Sequence, residues 1–342
     1  MNILIDINHP AHVHFFKHAI RILRERGHRV IITASKKEIS FELLDEYGLQ
    51  YVNLGNLGKS LASKILNLLI MDFKMFLIML KEKPDVALGI ASARICHASF
   101  FFKTRAYVFD DTEHSRFERA IFKPFATKIF TPSCYLLNIG EKQVRYEGYH
   151  ELAYLHPKRF TPNSSILQEI NVLPGEKYFV VRFVSWGAVH DIGHKGFSSD
   201  GKRTLVKLLE KHGKVFITSE ANLPPEFDKY LIKVSPIKIH DLLAYAEMYV
   251  GEGGTMATEA AILGTVSILV SSLTAGIYQE LENKFELKYT FQEEKKALVK
   301  IEELLQHTTL KQEWAEKRKK LLKQKIDVSE YIVNIVANTA NK

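Results

Sequence analysis

The chain has little cysteine: Cys96 and Cys134 are the two thiols in 342 residues. They show no metal or redox spacing, which excludes a disulfide framework, a zinc module and a dithiol redox centre; both are expected buried and reduced. No stretch carries the full Walker A spacing, no Gly-x-Gly-x-x-Gly follows the first strand pattern, and no Gly-x-Ser-x-Gly elbow occurs. Those absences weigh against a P-loop nucleotidase, a dinucleotide-dependent dehydrogenase and an α/β-hydrolase. There is no basic run interleaved with stacking aromatics and no zinc-finger, homeodomain or RNA-recognition signature, so no nucleic-acid partner is expected. The long apolar stretch 61–80 is interrupted by Lys64, Asn67, Asp72 and Lys74, which argues against a membrane span.

What is present is an ordinary globular composition, 46% hydrophobic and 25% charged, at a length that suits two domains. The net charge of +8 favours an anionic partner without naming it: a nucleotide-sugar, an acidic lipid headgroup or a nucleic acid would each answer to charge alone. Ile3-Leu4-Ile5 opens a strand pattern at once, with no basic lead or cleavage site, so no signal peptide is expected and the cytoplasm is the expected location.

Apolar runs and helical periodicity alternate along the first half. Residues 2–7 read as a buried parallel strand, 14–26 as a helix ending at Gly27, and 29–34 as the next strand. The alternation continues through helices at 38–47, 61–81 and 92–102 and strands at 51–54, 86–90, 106–109 and 128–130. Between 146 and 174 it lapses into Gly148, Pro157, Pro162, Asn163, Ser164 and Pro174, which marks a domain boundary. A second series follows, with strands at 178–184, 214–218, 231–234, 248–250 and 266–270 and helices at 201–212, 239–246 and after Gly254. The expected fold is two successive Rossmann-like, doubly wound parallel-sheet domains, 1–150 and 175–327, facing a cleft, with a last helix in 328–342.

Helix 61–80 has two readings. Ser60, Lys64, Asn67 and Lys74 fall on one narrow polar stripe, which predicts a helix buried on most sides. The alternative is a helix lying in a bilayer surface near a lipid-linked acceptor, a reading to which the basic and aromatic segment 116–125 adds weight.

The densest chemical signal is Val250-Gly251-Glu252-Gly253-Gly254-Thr255, followed by a helix rich in small residues through Gly264. Glycines let backbone approach a ligand, Thr255 is expected to cap the helix, and the free N–H groups at a helix start attract an anion. Glu259, one turn on, would reach ribose hydroxyls beside the phosphates. A second loop, after strand 178–184, offers the Arg182 cation, backbone N–H groups around Ser185 and an indole at Trp186. In the first half, His9, His12 and His14 crowd the turn after strand 2–7, where an imidazole can serve as general base; no nearby carboxylate completes a metal set. Asp110-Asp111-Thr112-Glu113 follows strand 106–109, where a carboxylate can act as base or orient an acceptor hydroxyl, or Asp111 can simply cap the next helix. Asp241 reads as an N-cap.

Gly253-Gly254-Thr255, Glu259-Ala260-Ala261 and Leu263-Gly264 together resemble the donor-nucleotide element of two-domain GT-B glycosyltransferases and of UDP-N-acetylglucosamine 2-epimerases. With Asp6-Ile7-Asn8-His9-Pro10-Ala11-His12 added, nearly the whole chain resembles the family known as domain of unknown function 354. The resemblance implies a metal-independent transferase without a cofactor, working from a nucleotide-diphosphate sugar, most plausibly a UDP-sugar, onto a glycan or lipid-linked acceptor in cell-surface polysaccharide synthesis. It implies catalytic roles for His12, Asp111 and Glu113, and donor contacts from Arg182, Ser185, Trp186, Gly253, Gly254, Thr255 and Glu259. It also implies that the last helix returns to the first domain; a peripheral contact to the inner membrane face is what the bilayer-surface reading of helix 61–80 would add. The epimerase pattern departs at two places: Gly-Thr-Arg-Pro-Glu is replaced by residues 6–10, and neither the His nor the Ala-Gly of its His-Glu-Ala-Gly element flanks Glu113.

Overall fold

The computed structural model describes the chain apart from residues 57, 59, 60, 185–195, 220–222, 341 and 342. Two compact units emerge, residues 1–159 with 325–342 and residues 160–324.

In the first unit, β1 (Asn2–Ile7), β2 (Arg29–Ser35), β3 (Val52–Gly55), β4 (Val86–Ile90), β5 (Arg105–Phe109), β6 (Lys128–Pro132) and β7 (Gln143–Tyr146) form one parallel sheet ordered β3-β2-β1-β4-β5-β6-β7. Helices α1 (Pro10–Glu25), α2 (Ser40–Glu46), α3 (Leu61–Glu82), α4 (Ala93–Phe100) and α5 (Arg116–Phe122) connect successive strands through β6, and the short α6 (Leu152–Leu155) follows β7. The strand order reverses between β1 and β4, so the loops after these two strands flank the switch point where open α/β sheets bind ligands. Central strands are apolar on both faces because helices cover both, and Ile3, Leu4, Ile5, Val86, Ala87 and Leu88 are fully buried. Phe15 and Phe16 of α1 pack edge-on against Phe109 of β5, with ring centroids 5.1 and 6.2 Å away. Each such ring contributes about 2–3 kcal/mol by leaving water. The last helix, Val328–Ala340, lies on α1 and α6. Arg159 secures its start through Asp327 at 2.7 Å and Glu330 at 3.1 Å.

The second unit opens with α7 (Ser165–Glu169). It then alternates β8 (Tyr178–Phe183), α8 (Ser199–Glu210), β9 (Lys214–Ser219), α9 (Ile239–Tyr245), β10 (Met248–Gly251), α10 (Gly254–Leu263), β11 (Val266–Val270), α11 (Gly276–Asn283) and β12 (Lys288–Phe291). Helices α12 (Glu294–Leu305) and α13 (Leu310–Gln324) close it. The parallel order is β12-β11-β10-β8-β9, with the switch point between β8 and β10. Helix α10 ends where Gly264 turns left-handed at φ +83°, the usual stop for a chain that must leave a helix sharply.

Three expectations need correction. Segment 231–234 is no strand; Leu231 makes one isolated bridge to Ile217, because a 3-10 turn at Pro225–Tyr230 delivers the chain alongside β9 for a single residue. Asp241 caps nothing, since α9 starts two residues earlier; its carboxylate instead accepts from the Asn163 N–H at 2.8 Å. Finally, α3 is not buried on most sides. Met71, Met75 and Met79 fill the core, yet Leu66, Leu69, Phe73, Leu77 and Leu80 lie open to solvent.

Candidate active site

At the carboxyl edge of the first sheet, Pro10 at the first position of α1 supplies the helical φ and has no N–H to leave unpaired. His9 is the N-cap, its Nδ1 accepting from the Ala11 N–H at 3.2 Å. That places His12 in the first turn, its ring 5.8 Å from that of His9. His14 points elsewhere, into a packed site against Tyr154 and within 3.3 Å of the Tyr47 hydroxyl. Below the turn, Asp6 is fully buried and accepts from Thr33 Oγ1 at 2.9 Å, Ser92 Oγ at 2.6 Å and Arg94 at 2.9 Å. One carboxylate thus ties together β1, β2 and the start of α4 at the switch point.

The loop after β5 divides its acids. Asp110 is structural: its carboxylate takes Arg119 Nε at 3.1 Å, the Tyr135 hydroxyl at 2.8 Å and the Thr112 N–H at 3.1 Å. Asp111 leaves helix α5 uncapped and reaches across to His150, whose Nδ1 lies 2.9 Å from Asp111 Oδ2. Glu113 is buried and accepts from the Leu136 N–H at 3.3 Å.

This pairing separates the protonation behaviour of the two imidazoles. Burial lowers His12 well below its ordinary pKa, and the neighbouring His9 and His150 lower it further. Burial also works against the charged form of His150, but the Asp111 carboxylate outweighs it and raises this imidazole. Asp111 itself is held down to about 2; burial opposes that fall, and the charge and hydrogen bond of His150 overcome it. His12 Nδ1 and His150 Nε2 are both buried without a hydrogen-bond partner among the described residues. One imidazole held towards its neutral form and one towards its protonated form, at the same sheet edge with a nitrogen each to spare, show the opposite tendencies that an acid–base pair requires.

In the second unit the glycine turn begins where β10 ends. The N-cap of α10 is Gly253, and no side chain caps it; Thr255 sits one residue inside the helix and is exposed, so the expected threonine cap is not formed. Two glycines shape the turn, so its leading N–H groups are not covered by a cap. Gly254 has a packing reason as well, since a Cβ there would meet the Tyr278 hydroxyl at 1.9 Å. Beneath Tyr278 lies the buried Lys288 ammonium, 3.2 Å from the ring centroid. The side chain of Arg182, from β8, comes to the same turn: a Cβ on Gly253 would lie 3.7 Å from Arg182 Nε. Glu252 accepts from the N–H groups of Val184 at 2.9 Å and Phe197 at 2.7 Å, pinning both sides of the segment that carries Ser185 and Trp186. Ser185 and Trp186 themselves lie outside the described residues. Glu259 is buried and bonded to His240 Nε2 at 3.1 Å.

Sequence reasoning missed His150, the partner of Asp111, and the clamp formed by Glu252. His150-Glu151 lies just after an unrecognised edge strand, inside the stretch whose glycine and prolines suggested a boundary. The one signal was an adjacent imidazole and carboxylate so close to a strand end.

Two Rossmann-like parallel-sheet units with these strand orders define a GT-B-type α/β protein. The chain belongs to the family described as protein of unknown function (DUF354), whose profile matches residues 1–341. It is 22% identical to an uncharacterized protein of Methanocaldococcus jannaschii over 284 residues, 78% of this chain and 81% of the relative. Among solved structures, the S. aureus MnaA–UDP complex matches with TM-score 0.72 at 12% identity, covering 100% of this chain and 97% of that one. UDP-GlcNAc 2-epimerase from Neisseria meningitidis, bound to UDP-GlcNAc, matches with TM-score 0.72 at 14% identity, covering 99% and 100%. The spinosyn forosaminyltransferase SpnP matches with TM-score 0.67 at 13% identity, covering 98% and 99%.

Proposed function

We propose that this protein is a metal-independent GT-B glycosyltransferase. It transfers a sugar from a nucleotide-diphosphate donor, most plausibly a UDP-sugar, to a hydroxyl of a glycan or lipid-linked acceptor in cell-surface polysaccharide synthesis, at the inner face of the cytoplasmic membrane. The observation that carries the reading is the uncapped glycine turn opening α10 with Arg182 beside it. N–H groups without a side-chain cap among the described residues, a helix dipole and a guanidinium come together where a diphosphate would bind. Solved proteins of like fold carry UDP or UDP-GlcNAc, and the same chemistry is proposed here.

In this reading the first unit serves the acceptor. Neutral His12 takes the proton of the acceptor hydroxyl as its oxygen forms a bond to the anomeric carbon. The bond from that carbon to the diphosphate oxygen breaks, and its electron pair leaves with the nucleotide. The developing charge is met by the N-terminus of α10 and by Arg182. His150, oriented by Asp111 and shifted towards its protonated form, binds the acceptor, with Glu113 supporting the loop. Gly253, Gly254 and Thr255 receive the phosphates, Ser185 and Trp186 contact the donor, and Glu259 meets the ribose.

One observation favours a second reading. Imidazoles shifted in opposite directions are also what a UDP-sugar 2-epimerase needs, because it must remove and return protons without an acceptor. A thermal-shift screen against UDP, GDP, ADP, CMP and dTDP tests the donor site that both readings share. Binding to the native state raises the midpoint by mass action, so the proposal expects a rise with UDP that Arg182→Met abolishes. No rise with any nucleotide at saturating ligand would remove the donor site and leave a non-catalytic assembly partner as the surviving account.

A further inference from the structure

We infer that the face of the first unit formed by α3, α4 and α5 docks on a bilayer surface with anionic headgroups. Along α3, Leu66, Leu69, Ile70, Phe73, Leu77 and Leu80 recur at helical spacing and are exposed; Leu69 and Phe73 each present 62% of their surface. Opposite them, Met71, Met75 and Met79 are buried. The helix is therefore anchored by one apolar side and offers a second.

The patch extends beyond α3. Phe76 contacts Phe101 at 5.7 Å and Phe102 at 5.1 Å, and Phe100 contacts both Phe101 and Phe125 at 5.5 Å. Phe100 and Phe101 are each 68% exposed, and Phe117 on α5 is 78% exposed. Isolated exposed apolar residues need no explanation, but a linked set running from α3 through the end of α4 to the turn after α5 marks an interaction surface.

Charge identifies the occupant. Leu80 is followed by exposed Lys81, and Phe101 is two residues before Lys103; Arg116 precedes Phe117 and Lys123 lies two residues before Phe125, whereas the Lys74 ammonium donates to the Leu54 carbonyl at 3.0 Å. Over residues 66–82, 100–103 and 116–125 Glu118 is the one exposed carboxylate, with Asp72 and Glu82 half-buried, against those four cations. A second copy of the chain would set like charges against each other in a two-fold contact. An anionic bilayer answers both features: leucine and phenylalanine enter the headgroup boundary while long cationic side chains extend to the phosphates. No helix among the described residues is long and apolar enough to cross a membrane, so this is a surface contact. The inference adds a docking device to the location proposed above and does not depend on the reaction.

Co-sedimentation of the full chain with vesicles tests it, in the absence of nucleotide. Phosphatidylcholine vesicles are compared with vesicles that also contain phosphatidylglycerol, at low and high salt. The expected result is sedimentation with the anionic vesicles, weakened by salt. Leu69→Ser/Phe73→Ser should weaken binding by about tenfold or more, from the lost apolar burial. Lys103→Glu/Lys123→Glu should abolish the preference for anionic lipid. Unchanged circular-dichroism melts establish that both variants fold. The inference is overturned if the wild type stays in the supernatant with every lipid, or if the apolar variant sediments as well as the wild type. It is equally overturned if sedimentation velocity shows a dimer that the apolar variant dissolves and vesicles do not bind. Because the assay needs neither nucleotide nor turnover, its failure and a failure of the transferase reading are separable.

Discussion

His150 Nδ1 lies 2.9 Å from Asp111 Oδ2, and this contact joins the loop after β5 to the segment after β7. In the proposed mechanism Asp111 orients and charges this imidazole, and proton abstraction falls to His12. His150→Gln should lower kcat by about 10²- to 10⁴-fold with little change in KM, the range for removing a positioned acid or base. The pH profile carries the sharper signature. Activity should rise as His12 loses its proton below the ordinary histidine range and fall as His150 loses its proton above it. Asp111→Asn removes the charge that raises His150, so the basic limb should move to lower pH; Asp111 is a lesser influence on His12, so the acidic limb should move down by less. A profile in which both limbs are unmoved by Asp111→Asn would contradict the assignment.

The same contact predicts a stability difference in acid. The folded-state pKa of Asp111 is depressed to about 2, so its contribution is present above the unfolded value and is lost as pH falls towards about 2. Wild type should therefore lose on the order of 2 kcal/mol more than Asp111→Asn across that window. Urea melts at a series of acidic pH values check this, and parallel stability curves for the two proteins would refute it.

How much of this was legible beforehand follows from how each residue is held. Buried parallel strands such as β1 and β4 advertise themselves as apolar runs, so the two-sheet alternation was readable. Strands β7 and β12 were not: each is four residues at a sheet edge, and β12 begins with the lysine that is buried under the Tyr278 ring. The glycine turn and Arg182 were visible because backbone freedom and positive charge are local properties. The partnership of Asp111 with His150, and of Glu252 with two N–H groups, depends on chain segments brought together only by the sheet. Helix α3 was misjudged for a related reason. An apolar periodicity on two sides of a helix does not state which side the protein covers.

Glu259 and His240 predict a choice of variant. Both are buried and bonded at 3.1 Å, so Glu259→Ala removes this bond from the His240 ring and should cost about 1–3 kcal/mol of stability besides any loss of nucleotide. Glu259→Gln retains a partner for the ring. If Glu259 meets the ribose, the glutamine variant should keep its midpoint without ligand and show a smaller shift with UDP than the wild type. A full UDP shift in Glu259→Gln would assign this carboxylate to packing alone.

Gly254→Ala should destabilise the second unit by about 1–3 kcal/mol, because the new methyl meets the hydroxyl of Tyr278, whose ring lies against the Lys288 ammonium. Tyr278→Phe removes the oxygen at closest approach and should restore part of that loss. Thermal melts of the two single variants and the double variant measure the coupling. Strict additivity would show that the glycine is required for some reason other than this contact.

The most direct test is a proton NMR time course of purified protein with UDP-N-acetylglucosamine and related UDP-sugars, with and without a glycan or lipid extract as acceptor. The account predicts that one UDP-sugar persists unchanged alone and releases UDP when acceptor is added, and that His12→Ala suppresses the release. Conversion of the sugar to its 2-epimer without acceptor would contradict it and establish the second reading.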